Sequence, residues 1–484
     1  MENNGLHDKM LTNDSIQAIE DDADFVIVGS GCAGSTVARW LSAAGKSVIL
    51  VEEGAPHVPS NGSAMEIMSK MYRDAGTTVS LGKETVPLLQ GKCLGGGSVI
   101  NAAIQIRFPE FIWQNWVKED KKWEKLLPWN ELMEANDILD RELQIAETPH
   151  HLMGGNGAMM LKGFGDKAHP IRRNTPHCKG SGRCILGCPE EGKESTDKNY
   201  IAMSMKQGAR VYSRCAVSKV IIKNKRAVGV EGKFASGAAF KATAKQAVIL
   251  AASAVQTPWL MLKSGLKLEG NGFMAHPGSS IMGLFEEKVS KGPEGTQTAE
   301  SLHWLKENIK FESMILPFDL KAARVPGVGK VLQERLEKID HTAYWQVACR
   351  AEARGKVIRG PFGPLVMYNL TDRDRSNILR GISMMAEAMF QAGAKEVWPH
   401  VYGMPEAITT MEQARAIAHI KPGPGIMPMA ATHLFCGVKV WEKFQVEGID
   451  GLVVADSSFF PSNTGVNPMS SIMSAATLVA KAWS

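Results

Sequence analysis

The feature that most constrains the fold is a glycine motif, GSGCAG, at residues 29–34. It directly follows a short apolar run, Asp24 to Val28, that is typical of a buried strand. Small and apolar residues at helical spacing predict a helix over Ala33 to Ala44, and Ser47 to Val51 reads as a second buried strand. Such a strand, helix, strand unit is the crossover that builds parallel sheets.

Each glycine of this motif has a task in holding a dinucleotide. Gly29 makes the tight turn, Gly31 lets a pyrophosphate approach the backbone, and Gly34 lets the helix pack on the strand. Glu52 ends the second strand, where its carboxylate favours ribose hydroxyls over a 2′-phosphate, so NAD or FAD is expected and not NADP. A tight turn without a ligand is the alternative. The predicted nucleotide-binding residues are Gly29, Ser30, Gly31, Cys32, Ala33, Gly34 and Glu52.

The length and charge of the chain favour a globular protein of two domains and argue against a nucleic-acid-binding protein. A chain of 484 residues, 44% of them hydrophobic, is long enough for two connected domains. The net charge of +5 is small and the basic residues are scattered, so nucleic acid is not an expected partner. No run of about 18 uncharged apolar residues occurs, and the first residues are polar, so neither a transmembrane segment nor a secretory signal is expected. The cytoplasm is the expected location.

A second glycine-rich segment indicates which nucleotide is bound. Residues 91–101, GKCLGGGSVIN, resemble the flavin loop of the glucose-methanol-choline (GMC) oxidoreductase family. The segments 247–265, 273–277 and 451–461 resemble other signatures of that family, so the resemblance covers nearly the whole chain. It implies FAD. The further residues that it implies in FAD binding are Gly91, Gly95, Gly96, Gly97, Ser98, Asn101, Val217, Asp456, Asn467, Pro468 and Met469.

The resemblance also implies the architecture, an α/β fold with a Rossmann-like FAD-binding domain. A non-contiguous substrate domain is expected on a mainly antiparallel sheet flanked by helices. Some relatives carry FAD covalently on a histidine directly before the loop asparagine, where this chain has Ile100, so non-covalent FAD is expected. The expected segments are a tail at 1–21, the FAD-binding domain at 22–110, 195–275 and 430–484, and the substrate domain at 111–194 and 276–429.

His433 and Asn467 match the two catalytic positions of the family. Oxidising an alcohol by hydride transfer needs a base for the hydroxyl proton and a donor that holds the alcohol oxygen. A neutral imidazole can accept a proton and an amide cannot, so His433 is the predicted base and Asn467 the orienting partner. A histidine that is merely hydrogen-bonded in the core is the alternative for His433. Asn467 before Pro468 is also typical of the N-cap of a helix, which is expected to run to about Trp483.

Three cysteines, Cys178, Cys184 and Cys188, lie in one loop at residues 177–189. Packed thiols or one labile disulfide are the first interpretation. The second is an iron-sulfur cluster on these cysteines, as some flavin dehydrogenases of the family have, and the third is a zinc site with His177 as fourth ligand. A cluster would pass electrons from the flavin to a quinone or a redox protein, whereas an oxidase passes them to oxygen.

The predicted function is therefore FAD-dependent oxidation of an alcohol by hydride transfer to the flavin. A cyanohydrin-type lyase on the same scaffold and an electron-transfer flavoprotein subunit are the rivals. Many Met and Trp residues and few Tyr weakly favour an apolar or aromatic alcohol as substrate.

Overall fold

The described part of the chain, residues 16–268 and 272–484 of a computed structural model, folds around two seven-stranded sheets. The first strand begins at Ile19, five residues before the predicted start at Asp24. In its first half Glu20 and Asp22 are exposed and Asp21 is partly buried, so this segment lacks the apolar run that predicts a buried strand. Most of the expected tail, residues 1–15, lies outside the described residues.

The first sheet is parallel at its centre, as the crossover unit predicts. The strand Ile19–Val28 pairs in parallel with Val48–Val51 and with Ala239–Leu250. Val48–Val51 is buried at every position, as expected for a strand covered on both faces. The strands lie in the order Arg210–Tyr212, Val48–Val51, Ile19–Val28, Ala239–Leu250, Arg226–Phe234 and Cys215–Lys223, with Leu452–Val454 beside Ala239–Leu250.

The second sheet is antiparallel throughout its paired strands. The long helix Asp372–Ala392 covers one face; it begins at a capping box of Thr371 and Asp374 and ends at Gly393, whose φ is +109°. The predicted antiparallel sheet with flanking helices is thus confirmed. Its strands lie in the order Glu396–Trp398, Met274–Leu284, Thr342–Cys349, Ile309–Ser313, Ala299–Ser301 and His169–Pro170, with Ala430–Phe435 beside Met274–Leu284.

Two helices that pack on the first sheet bring the glycine motif close to the C-terminal segment. Cys32–Ala43 begins within the glycine motif, with Gly31 at its N-cap, and packs against Met469–Lys481 near the end of the chain. The other α-helices are Ala64–Met71, Gly97–Ile100, Glu110–Glu119, Lys122–Leu126, Trp129–Glu142, Gly154–Phe164, Tyr200–Lys206, Ser253–Lys263, Phe318–Ala322, Gly329–Glu337 and Met411–Ala416. Short strands also pair outside the two sheets: Ser80–Leu81, Lys356–Arg359 and Pro364–Met367, and Ala146–Glu147 with Arg172–Arg173.

The site lies where the two sheets meet. The strand Ala430–Phe435, which carries His433, pairs with Met274–Leu284 of the second sheet, although its sequence position falls in the segment assigned to FAD binding. The predicted domain bounds stay a prediction. Within residues 16–268 and 272–484, no helix has both the length and the apolar character that crossing a bilayer requires.

Candidate active site

The three glycines of the first motif take three different positions. Gly29 has a φ of +98°, and a Cβ atom there would lie 2.4 Å from the carbonyl oxygen of Ala251. A Cβ on Gly34 would lie 1.8 Å from the carbonyl oxygen of Gly29, because the helix packs closely on the turn. A Cβ on Gly31 would meet no atom within 4 Å. Gly31 therefore leaves open space at the helix N-terminus, where a pyrophosphate is stabilised by the helix dipole.

This difference predicts opposite outcomes for two similar substitutions. Gly31→Val is expected to leave the fold intact and to abolish FAD binding, because its side chain fills the space that a phosphate would take. Gly34→Val is expected to destabilise the fold itself, because its side chain overlaps the turn backbone. Thermal unfolding of the apoprotein and the bound-flavin absorbance check both. If the Gly31→Val apoprotein unfolded at a temperature as low as that of Gly34→Val, the assignment of Gly31 to the phosphate space would be wrong.

Glu52 is hydrogen-bonded to the backbone of the glycine motif. Its Oε2 atom accepts hydrogen bonds from the backbone N of Ser30 at 3.0 Å and from the Ser30 hydroxyl at 2.8 Å. Its Oε1 atom accepts from the backbone N of Gly54 at 2.8 Å. The Ser30 hydroxyl in turn accepts from the backbone N of Gly95 in the second glycine loop at 3.0 Å. The acid therefore orders both loops at once.

One cleft of about 840 Å³ runs from the first glycine motif to His433. Its volume and lining suit a dinucleotide, with the glycine motif and His433 on the same cleft. Four of the predicted residues do not line the cleft but order the two glycine loops from behind: Ser30, Gly34, Gly95 and Ser98. The predicted residues that line it are Gly29, Gly31, Cys32, Ala33, Glu52, Gly91, Gly96, Gly97, Asn101, Val217, His433, Asp456, Asn467, Pro468 and Met469.

The second glycine loop crosses close to the first. A Cβ on Gly96 would lie 3.1 Å from the Cα atom of Gly31, and a Cβ on Gly97 would meet nothing within 4 Å. The ammonium of Lys193, which is 1% exposed, donates to the carbonyl oxygens of Val99 at 2.6 Å and Asn101 at 2.9 Å. The loop is thus held from behind and open in front, as a loop that contacts a flat cofactor requires.

Asp456 lies at the cleft but is already hydrogen-bonded. Its carboxylate accepts from the backbone N of Ser253 at 2.9 Å and from the Thr257 hydroxyl at 2.5 Å. Burial raises the pKa of this carboxyl group, and its hydrogen bonds oppose that shift. It joins the segment after Val454 to the helix Ser253–Lys263 beside the nucleotide space.

His433 forms a pair with a second histidine, His276, that the sequence did not single out. The two Nδ1 atoms are 3.3 Å apart, and His276 Nε2 accepts the backbone N–H of Gly465 at 2.9 Å. Burial, followed by the neighbouring His433, lowers the pKa of His276 well below its usual value, so its ring is neutral. Because an amide N–H only donates, the His276 proton lies on Nδ1 and points at His433 Nδ1.

Burial lowers the pKa of His433 itself to about 4. The Glu312 carboxylate opposes this shift and the Lys310 ammonium supports it. His433 is therefore neutral near pH 7, and its Nδ1 atom faces His276. The remaining ring nitrogen, Nε2, belongs to a side chain that lines the cleft.

Asn467 does not cap the last helix. That helix runs over Met469–Lys481 with Pro468 at its N-cap position, and no side chain caps it. The Asn467 Oδ1 atom instead accepts a hydrogen bond from the buried ammonium of Lys310. Because the amide oxygen is taken by Lys310, the Asn467 NH₂ group remains as the donor toward the cleft that this residue lines. The N-cap interpretation of Asn467 is therefore wrong, and its orienting role stays a prediction.

Lys310 belongs to a buried charged group that the sequence analysis missed. Glu300, Lys310 and Glu312 are each at most 2% exposed, with Lys310 bonded to Glu312 and 3.3 Å from Glu300. Burial alone would raise the pKa of Glu312, but its attraction to Lys310 lowers it to about 2. The signal was present in the strand Ile309–Ser313, IKFES, where charged residues alternate with apolar ones.

The cysteine loop forms no metal site. The Cys184 Sγ atom accepts a hydrogen bond from Arg173 Nη2 at 3.1 Å, while that of Cys178 accepts from Gly180 N within its own loop at 3.4 Å. All eight cysteines are free. No group of three or more His, Cys, Asp or Glu side chains that could hold a metal ion occurs in 16–268 and 272–484. The iron-sulfur and zinc interpretations of Cys178, Cys184 and Cys188 are therefore not supported, because these thiols bind protein donors and do not converge on one point.

A parallel sheet with an open glycine turn, joined by one cleft to a buried histidine pair, defines a dinucleotide-dependent oxidoreductase. Comparison with known proteins gives the family. The N-terminal GMC oxidoreductase domain matches residues 68–281 and the C-terminal one matches residues 354–476. The chain belongs to the GMC oxidoreductase family, whose members are FAD-dependent enzymes that act on CH–OH donors.

Relatives agree with this assignment. An uncharacterised GMC-type oxidoreductase of Sinorhizobium fredii is 30% identical over 485 residues, which are 95% of this chain and 94% of that protein. A long-chain-alcohol oxidase of Arabidopsis thaliana is 26% identical over 515 residues, 96% of this chain and 68% of that protein. A solved formate oxidase has a TM-score of 0.72 at 16% identity, covering 96% of this chain and 98% of the other. The pyridoxine 4-oxidase from Mesorbium loti has a TM-score of 0.67 at 15% identity, covering 95% and 98%.

Proposed function

We propose that this protein oxidises an alcohol to a carbonyl compound, with His433 and Asn467 acting on the alcohol oxygen. The observation that carries the proposal is the end of the cleft, where the side chains of both residues line one surface with the flavin-loop residues Gly97 and Asn101. FAD, when bound along the cleft, supplies the acceptor for the hydride of the carbinol carbon.

Asn467 holds the alcohol oxygen in this proposal. Lys310 bonds the amide oxygen, so the NH₂ group is turned to the substrate and cannot flip. A donor fixed in this way also stabilises the negative charge that grows on the oxygen as its proton leaves.

His433 accepts the hydroxyl proton. Acceptance at Nε2 requires the ring proton of His433 to lie on Nδ1, where the proton of His276 also points. In the resting pair His433 accepts at Nδ1 and carries its proton on Nε2, so that proton must move to Nδ1, and the rings must separate from their 3.3 Å contact, before Nε2 can accept the hydroxyl proton. His276 is a positioning residue in this scheme, because it pairs with the base without lining the cleft.

The low pKa of His433 predicts the pH profile. The base works only when neutral, so kcat is expected to stay level from about pH 6 to pH 9 and to fall on the acid side with a midpoint near 4. Measurement at saturating alcohol, with flavin absorbance recorded to confirm that FAD stays bound, checks this. An acid limb centred near 6.5, the usual histidine value, would contradict the proposed environment of the base.

Oxygen is the proposed electron acceptor, and FAD is proposed to be bound without a covalent link. Relatives named as oxidases support the first point, and Ile100 at the position of the linking histidine supports the second. Oxygen uptake coupled to peroxide formation tests the acceptor, and release of FAD by acid precipitation tests the linkage.

Anaerobic addition of alcohols tests the reaction class. Bleaching of the flavin by a primary or secondary alcohol is the expected result. A lyase would leave the flavin oxidised while cleaving a cyanohydrin, and an electron-transfer subunit would neither bleach with any alcohol nor lose activity when His433 is replaced. Either behaviour would overturn the proposal.

A further inference from the structure

The strand Ile309–Ser313 presents two different faces. Ile309 and Phe311 join the apolar core beneath the helix Asp372–Ala392. Lys310 and Glu312 alternate with them and point to the opposite face of the sheet, because successive side chains of a strand point to opposite sides. In the register of the sheet, Glu312 lies directly between Glu300 and Gln346 on the two neighbouring strands. A polar row thus crosses the face that looks toward the cleft.

Glu312 orients two glutamine side chains. Its Oε2 atom accepts hydrogen bonds from Gln297 Nε2 at 3.2 Å and from Gln346 Nε2, and its Oε1 atom accepts from Lys310. Attraction to Lys310, acting against burial, lowers the pKa of Glu312 to about 2, so the group is a carboxylate that only accepts. Each glutamine must therefore present its NH₂ group to Glu312. Each amide oxygen is left on the far side, in a residue that lines the cleft.

We propose that the amide oxygens of Gln297 and Gln346 form a substrate subsite that binds hydroxyl groups of a polyol. The inference rests on the proposed oxidation of an alcohol and names its substrate class. The two oxygens are acceptors without charge, and the carboxylate behind them is already paired with Lys310. A hydroxyl donor matches these two oxygens, whereas an ammonium group would find the Glu312 carboxylate behind them already paired with Lys310.

An apolar chain does not suit this wall. It would strip water from both amide oxygens and supply no donor in exchange. The subsite therefore differs from the weak expectation of an apolar or aromatic alcohol that the Met and Trp content gave. Met314 and Ile104 also line the cleft and offer an apolar surface to the carbon skeleton of a small molecule.

The subsite is close to the catalytic end. Gln346 bonds Glu312, Glu312 bonds Lys310, and Lys310 bonds Asn467, so three hydrogen bonds connect the two ends. Three hydrogen bonds of about 2.8 Å, together with the two amides and one carboxylate of about 2.2 Å each along the path, bound the separation at about 15 Å. The proposal places one hydroxyl of a small polyol at Asn467 and another at the glutamine pair.

Three primary alcohols of five carbons test the proposal: xylitol, 1-pentanol and 5-amino-1-pentanol. For the FAD-loaded wild type, kcat/KM for xylitol is expected to exceed that for each of the other two by at least tenfold. Replacing both glutamines, Gln297→Leu with Gln346→Leu, is expected to remove that preference. Gln333→Leu is the control, because it makes the same change at an exposed glutamine that bonds Glu337 and does not line the cleft.

Calorimetric titration of xylitol into the same proteins gives a readout that does not depend on turnover. Binding is expected to weaken at least tenfold in the variant Gln297→Leu with Gln346→Leu and to stay within about twofold in Gln333→Leu. Equal or better use of 1-pentanol or 5-amino-1-pentanol by the wild type would overturn the subsite and leave alcohol oxidation standing. If none of the three alcohols bleaches the flavin but xylitol binds through the glutamines, the proposed reaction fails and the subsite survives. Unchanged xylitol binding in the double variant overturns the subsite in every case.

Discussion

Replacing His433 by Ala is expected to lower the rate of alcohol oxidation by about 10²–10⁴-fold while FAD stays bound. The variant loses the only group at the end of the cleft that we propose to take the hydroxyl proton. The glycine motif and Glu52, which hold the nucleotide half of the cofactor in our proposal, are unchanged. Anaerobic stopped-flow measurement of flavin absorbance after mixing with alcohol gives the rate.

His400→Ala is the matched control. His400 is a partly buried histidine that follows a strand of the same sheet, and its Nε2 atom lies 2.7 Å from the carbonyl oxygen of Arg324, away from the cleft. Its replacement is expected to leave the rate within about threefold, since it touches neither the cleft nor the histidine pair. A His433→Ala variant that stayed within the same threefold would remove the base role.

Replacing Lys310 by Met is expected to lower the free energy of unfolding by about 3–5 kcal/mol and kcat by about 10²-fold. The stability loss follows because Glu312 would remain buried as a carboxylate without its partner. The activity loss follows because the Asn467 amide would lose the bond that turns its NH₂ group to the substrate. Chemical denaturation and steady-state kinetics measure the two effects separately.

Two further variants separate charge burial from orientation. The double variant Lys310→Met with Glu312→Gln is expected to recover the part of the stability that the unpaired Glu312 carboxylate costs, although the buried Glu300 still lacks Lys310, and to recover little activity. Lys395→Met, which removes an exposed ion pair to Glu286, is expected to change stability by less than about 0.5 kcal/mol. Recovery of kcat in the double variant would show that Lys310 does not orient Asn467.

Much of the nucleotide half of the molecule was predictable from local sequence. The glycine spacing of residues 29–34 is set by turn geometry and by the packing of Gly34 on Gly29, which act between residues near in the chain, although Gly29 also lies against the distant Ala251. The parallel crossover, the acid at Glu52 and the helix after residue 468 follow from the same local rules. The start of the first strand was missed because the acidic residues before Asp24 are exposed or only partly buried.

The catalytic half was predictable only in part. His433 and Asn467 could be placed by resemblance, but their partners come from other strands: His276 from Met274–Leu284 and Lys310 from Ile309–Ser313. Sequence alone could not decide between a cap and an orienting role for Asn467, because that depends on which group meets its side chain. The same holds for the cysteine loop, whose spacing suggested metal ligation while its thiols bind protein donors.

The sequence by itself determined the nucleotide fold and the family, and it supplied the two proposed catalytic residues, because turns, helix starts and buried strands are specified by neighbouring residues. Tertiary structure alone decided the open space at Gly31, the pairing of His276 with His433, and the direction of the Asn467 amide. It also brought the Lys310 and Glu312 pair to the cleft. These features arise where strands distant in sequence lie side by side, so their hydrogen bonds exist only after the second sheet has formed.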